Sequence, residues 1–235
     1  MLDKFYKLFS NDIGIDLGTA NTLVYLKGHG IVINEPSVVV VNQKTGQIVA
    51  IGAQAKEMLG RTPAHLRAVR PLVDGVISDF EVTEEMLTYL INKANKMDNK
   101  FFRPRVVIGV PTGITNVEAR AVYDAAKSAG AREVHLIEEP VAGALGIRLP
   151  IKEAIGTVVV DIGGGTTDIA IFREGALLYT SVLPIGGTHI TNDISVGLRC
   201  SLDNAEKIKL TYGSAIASQV NDNDTSEVPA VGEGK

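Results

Sequence analysis

Two stretches far apart in this chain carry one chemical pattern. Each is an apolar run ending in Asp, then a glycine turn with a hydroxyl, then a second apolar run. The first is Ile13-Gly14-Ile15-Asp16-Leu17-Gly18-Thr19-Ala20-Asn21, and the second is Val158-Val159-Val160-Asp161-Ile162-Gly163-Gly164-Gly165-Thr166-Thr167-Asp168. Glycine lets backbone N–H groups approach a ligand closely and supports positive φ. A cluster of such N–H groups makes an anion cradle. The Asp at the strand end offers a hard oxygen of the kind Mg²⁺ takes. Either stretch alone could be an ordinary β-turn. Three consecutive glycines, however, cost backbone entropy unless something must come close. Two such corners predict two half-molecules pinching one polyphosphate. A Walker P-loop is absent. The glycine run leads into a strand, whereas a dinucleotide fingerprint opens a helix.

The surrounding pattern supplies elements to hold these corners. Val106 to Val110 reads as a short buried strand closed by Pro111, and Val134 to Ile137 as a second. Asn116 to Ala129 reads as a helix with Val117, Ala121, Val122 and Ala125 on one stripe and Gly130 at C′. Pro140 opens a small-residue helix to Ile147. A strand over 157–162 precedes a hairpin around Glu174-Gly175, and helices are expected near 187–198 and 202–211. Buried strands alternating with helices indicate an α/β fold. Between Gly30 and Arg70, strands near 31–33, 37–41 and 47–51 with a Thr45-Gly46 turn, then a helix near 53–59, suggest a small inserted subdomain. Asn221 to Lys235 is polar and without periodicity, so it reads as loop or disordered.

Bulk properties narrow the class. With 235 residues and 45% hydrophobic content, the chain can bury one large core or two moderate ones. A net charge of −4 argues against a general nucleic-acid binder. The single Cys200 cannot form an internal disulfide, which suits a reducing compartment. No apolar run reaches membrane-span length, and Met1 to Phe9 lacks a signal-peptide core. A cytoplasmic location is expected. His29, His65, His135 and His189 show no metal-ligand spacing.

Further strings sharpen the reading. The two corners resemble the phosphate loops of the actin/Hsp70/sugar-kinase superfamily, and Ile137-Glu138-Glu139-Pro140-Val141-Ala142-Gly143-Ala144 resembles its first connecting helix. Ser10 to Leu23, Asn34-Glu35-Pro36-Ser37, Met58 to Pro63, Arg70-Pro71 with Asp74 to Ile77, and Gly130 to Val134 resemble the MreB family of rod-shape-determining bacterial actins. Residues 186–215 and the tail with Val228-Pro229 look more like FtsA, the division actins.

The resemblance implies an actin-like (ribonuclease H-like) ATPase fold of two halves around a nucleotide cleft. Family members continue beyond this length, so the second half is expected to be incomplete. It implies a membrane-anchor segment over 1–10, a first subdomain over 11–30 and 71–150, a small inserted subdomain over 31–70, a further subdomain over 151–190, and the start of another over 191–235. It implies ATP with Mg²⁺, slow hydrolysis, self-assembly into filaments under the cytoplasmic membrane, and partners in cell-wall elongation or division. By matching position, Asp16, Gly18, Thr19, Ala20 and Asn21 line the phosphates from one half, and Gly163, Gly164, Gly165 and Thr166 from the other. Asp16 and Asp161 hold Mg²⁺. Glu139 and Thr166 are assigned to catalysis, Glu139 by orienting or activating the attacking water. Without the resemblance, Glu139 reads as a carboxylate complementing a helix dipole.

Glu206, Lys207, Ile208 and Lys209 form the helical segment implied to contact the nucleoside. Glu206 and Lys209 share a face, and a solvated charged helix is the alternative. For the membrane, Leu2, Phe5 and Phe9 recur at helical spacing, which suits a short interfacial anchor. Phe101 and Phe102, flanked by Lys100 and Arg103, suit insertion beneath anionic headgroups from a polar loop; capping of the core is the alternative. Weak anchors repeated along a filament would add avidity. A division actin of the FtsA type, a phosphotransferase and an Hsp70-type chaperone are the competing functions, since fold alone does not fix function.

Overall fold

The computed structural model describes residues 10–59, 63–73, 76–98, 102–150, 153, 155–216, 218, 220 and 225. Residues up to Pro184 form one compact unit, and those from Ile185 form a second.

The first unit is organised by a meander. Strands β1 (Ser10–Leu17), β2 (Asn21–Leu26) and β3 (Gly30–Pro36) run antiparallel. Parallel to β1 lies β9 (Phe102–Val110), and parallel to β9 lies β10 (Glu133–Glu138). The sheet order is β10-β9-β1-β2-β3, so β1 is its centre. Period-2 alternation aims Ile13, Ile15, Val24, Leu26, Val106 and Ile108 to one buried face. Two helices cover that face: α2 (Phe80–Asp98) and α3 (Asn116–Ser128). Thr115 starts α3 with a capping box closed by Glu118, and Gly130 follows its end at φ 100°.

Helix α2 was not read in the sequence. Its buried Val82, Met86, Leu90, Ile91 and Ala94 recur at helical spacing, and Asp79 caps it by accepting from Val82 N at 3.2 Å. The signal was present among closely spaced charges. Val117 is 79% exposed rather than on the buried stripe of α3. Five residues separate it from Val122, which carries it about 140° round the helix.

A small sheet has the order β5-β4-β6, with β4 at Val39–Asn42, β5 at Ile48–Ile51 and β6 at Leu66–Val69. With α1 (Ala53–Met58) it encloses Val38, Val40, Ala50 and Ala55. Val39 instead packs into the main core, so β4 is buried on both faces. Strand β3, expected in this small subdomain, pairs with β2 in the main sheet, because the Leu26–Gly30 turn returns the chain antiparallel. Strands β7 (Leu72–Val73) and β8 (Val76–Ile77) form a short ribbon.

The meander then repeats. Strands β11 (Thr157–Ile162), β12 (Thr167–Arg173) and β13 (Ala176–Leu183) pair in order, with Glu174 and Gly175 at positive φ in the β12–β13 turn. Helix α4 (Glu139–Gly146), which follows β10, packs Ala144 against Ala170 and Phe172.

The second unit contains α5 (Gly187–Leu198) and α6 (Leu202–Tyr212) packed on each other. Ser201 caps α6 by accepting from Asn204 N. Among the described residues no helix is long and apolar enough to cross a membrane. Leu2, Phe5, Phe9, Phe101 and most of the 221–235 tail lie outside the described residues. Phe102, expected in a polar loop, is the half-buried first residue of β9, because β-pairing to Ser10 extends that strand back from Val106.

Candidate functional site

The two corners open on one cavity of about 400 Å³. Asp16, Gly18, Thr19, Ala20 and Asn21 border it from the β1–β2 turn, and Asp161, Gly163, Gly164, Gly165 and Thr166 border it from the β11–β12 turn. Glu139, at the start of α4, lies on the wall between them. That size suits a small-molecule ligand.

Each glycine corner has its own construction. Gly18 and Gly163 lie outside the left-handed region, so these turns do not draw on glycine's freedom at positive φ. What they need is room. A Cβ on Gly18 would meet Asn21 O at 2.5 Å, and one on Gly163 would meet Thr166 O at 3.3 Å. The first turn is tied by Ser37, whose Oγ donates to Gly18 O at 2.5 Å and lies 2.9 Å from Thr22 Oγ1. The backbone N–H of Ser37 donates to Ala20 O at 2.9 Å. The second turn closes on itself, Gly163 N donating to Thr166 O at 2.8 Å.

The electrostatics are one-sided. Burial raises the pKa of Asp16, and the charge of Asp161 raises it further. Asp161 is raised by burial and by Asp168. Burial, then Asp16, Asp168 and Asp161, push Glu139 up to about 8. Asp12, four residues before Asp16 on the same strand, behaves oppositely. Burial raises it, but hydrogen bonds from Arg105 and Lys27 outweigh that and hold it low. The site therefore gathers carboxylates whose mutual repulsion a bound cation would relieve. Among the described residues no three His, Cys, Asp or Glu side chains converge on a metal position. Mg²⁺ usually takes one or two carboxylates and completes its shell with water and phosphate oxygens. Asp16 and Asp161 fit that donor set.

Asp168 belongs to this group and was missed in the sequence. It is 2% exposed and accepts from Thr166 Oγ1 at 3.1 Å and Thr112 N at 3.4 Å. Its place directly across from Asp161 is a matter of strand register; the seven-residue Asp–Asp spacing was the available signal. In the second unit, Lys209 Nζ donates to Glu206 Oε2 at 2.7 Å, Thr191 Oγ1 at 2.9 Å and Gly187 O at 3.0 Å. Glu206 and Lys209 thus engage each other and α5. Lys207 is exposed and Ile208 half-buried.

Comparison with known proteins decides the family. The MreB/Mbl protein family model matches residues 10–231. The chain belongs to the MreB/Mbl family. That match runs through the segment after residue 186, expected to be FtsA-like, so this segment too matches MreB/Mbl. The cell shape-determining protein MreB of Escherichia coli (strain K12) is 50% identical over 227 residues, covering 92% of this chain and 65% of that protein. Mbl of Bacillus subtilis (strain 168) is 49% identical over 187 residues, covering 80% of this chain and 56% of that protein. The chain thus spans less than two thirds of the length of these curated relatives. Among solved structures, MreB5 of Spiroplasma citri bound to ADP is 34% identical with a TM-score of 0.82, covering 96% of this chain and 69% of that one. A MamK double helical filament, 24% identical with a TM-score of 0.70, shares the fold. The fold is actin-like α/β.

Proposed function

We propose that this MreB/Mbl chain binds ATP with Mg²⁺ in the cavity between its two aspartate corners, and that the protein assembles into membrane-associated filaments directing cell shape and cell-wall synthesis. The observation that carries this reading is the shared cavity: Asp16 and Asp161, from opposite corners, border one space with the glycine turns around them.

Each residue then has a task. The backbone of Gly18, Thr19, Ala20 and Asn21 receives phosphate oxygens from one side, and Gly163 to Thr166 from the other. Asp16 and Asp161 hold the cation. When bound, Mg²⁺ offsets the charge of the phosphate chain and polarises the transferring phosphoryl. Burial and the neighbouring acids raise the pKa of the Glu139 carboxyl to about 8, and a cation held by Asp16 and Asp161 would favour its charged form. Glu139 is then suited to orient the attacking water and take its proton. Glu206, Lys207, Ile208 and Lys209 are assigned to the nucleoside; Lys209, whose three donors are spent on Glu206, Thr191 and Gly187, acts there by holding Glu206 in place.

The structures named for ADP-bound MreB5 and for the same protein bound to AMPPNP support nucleotide as the ligand class. The MamK filament and the relatives named cell shape-determining proteins support self-assembly and the cellular role. Leu2, Phe5, Phe9 and Phe101 are proposed to dip into the cytoplasmic face of the membrane. The test is sedimentation with anionic vesicles. The protein should pellet with ATP and Mg²⁺ far more than without nucleotide, and Asp161→Ala should abolish the difference. Equal pelleting in all arms would refute the reading.

A further inference from the structure

We propose that Asp168 is a positioning residue that fixes the direction of the Thr166 hydroxyl, so that toward the cavity Thr166 can only accept hydrogen bonds. The role at the cavity rests on the nucleotide reading above; the hydroxyl's direction does not.

The geometry leads there in three steps. Thr166 borders the cavity, and its Oγ1 donates to Asp168 Oδ2 at 3.1 Å. Both side chains are buried, Thr166 at 8% and Asp168 at 2% exposure, so water offers little competition for that bond. A threonine hydroxyl has one proton and two lone pairs. With the proton committed to Asp168, only lone pairs remain for the cavity. A phosphate oxygen is itself an acceptor and cannot bond to them. A water can donate to them, and a cation can be ligated by them. Asp168 thereby turns a hydroxyl that could hold the ground-state phosphate into one that receives a nucleophilic water.

Two further observations belong with this. Asp168 lies directly across from Asp161 in the antiparallel ladder. Like charges directly opposite destabilise a strand pair, so the second acid is costly as mere structure. The other oxygen of Asp168 accepts from Thr112 N at 3.4 Å, just beyond the end of β9. That backbone donor cannot rotate, so it sets which way the carboxylate faces.

Asp168→Asn separates the roles at nearly constant volume. An amide has one acceptor end and one donor end. Its Oδ1 goes to the fixed N–H of Thr112, so its Nδ2 points at Thr166 Oγ1. The hydroxyl proton must then swing into the cavity.

The decisive measurement is on the nucleotide-free protein by NMR with labelled threonine. In the wild type the Thr166 hydroxyl proton should be observable and slow to exchange, and Asp168→Asn should abolish that protection. With ATP and Mg²⁺, single-turnover hydrolysis in Asp168→Asn should slow at least about tenfold while the dissociation constant for nucleotide moves less than about threefold. Asp168→Asn combined with Thr166→Val should be no slower than Thr166→Val alone, because the acid acts through that hydroxyl. An unprotected hydroxyl in the wild type, full hydrolysis in Asp168→Asn, or additive losses in the double variant would overturn the proposal. If the wild type binds no nucleotide, the nucleotide reading falls, and the hydroxyl measurement still decides this one. It also decides if Asp168→Asn does not fold, since the wild-type signal alone can refute it.

Discussion

At the β1–β2 corner Asp16 lies across from Leu23, while at the β11–β12 corner Asp161 lies across from Asp168. The first corner is held from outside. Ser37, just before β4, reaches back to the Gly18 and Ala20 carbonyls. The second is held from within, by the Gly163–Thr166 bond and by the acid two residues further on. The sheets differ in the same sense. Strand β1 has a partner on each side, β2 and β9, whereas in the three-stranded sheet β11 is an edge and Val158, Val160 and Ile162 are exposed. One chain path thus accommodates two kinds of support, and the support decides how each corner responds to change.

Three measurements press on that difference, the largest effect first. Lowering the charge between the corners should act on both at once. The Glu139 carboxyl has its pKa raised to about 8. The folded chain therefore keeps a proton that the unfolded chain releases above its ordinary value of 4.5. The contribution is fully favourable below that value and is lost as pH rises toward 8, by on the order of a few kcal/mol. Asp16 and Asp161 shift in the same direction. Urea unfolding of the nucleotide-free protein should show stability falling across this window, and Glu139→Gln should flatten the slope. An unchanged slope would mean that burial and the neighbouring acids do not hold the Glu139 proton as placed.

Second, the two glycines should differ. At Gly18 the added Cβ strikes backbone at 2.5 Å, so Gly18→Ala should cost about 2–3 kcal/mol through forced backbone shift. At Gly163 the neighbour stands at 3.3 Å, so a shift of a few tenths of an ångström would suffice; Gly163→Ala should cost under about 1 kcal/mol. Thermal unfolding of both variants checks the order, and a reversal would show that the second corner is the tighter one.

Third, Ser37→Ala should destabilise by about 1–2 kcal/mol, because Thr22 and the Gly18 carbonyl lose a partner in a buried setting. Hydrogen exchange should rise at residues 18–22 and stay unchanged at 163–166. Equal loosening of both turns would remove the distinction between external and internal support.

The corners themselves were legible, because Asp, Gly and a hydroxyl between apolar runs is a local pattern. So were the Gly130 stop after α3 and the Glu174-Gly175 turn. What escaped depended on pairing across distance. The role of Asp168 follows from register with Asp161 and from the end of β9, 56 residues away from its Thr112 donor in sequence. The reach of β9 back to Phe102 follows from pairing with β1. Strand β3 joined the main sheet because its turn is tight. Helix α2 is a different case: its apolar spacing was readable, but charges interleave it on nearly every turn.

Ser37, Val38, Val39 and Val40 follow one another in the chain, and their attachments alternate. Ser37 grips the first corner, Val38 and Val40 sit in the small core, and Val39 is sunk in the large one. Glu35, two residues earlier, bridges the start of α1 at Ala53 N and Lys93 of α2. Through residues 37–40, a mechanical load on the small sheet meets no slack linker in which to dissipate. It is transmitted through four successive residues to the carbonyl that shapes the first phosphate turn, making this lobe a stiff lever on that turn.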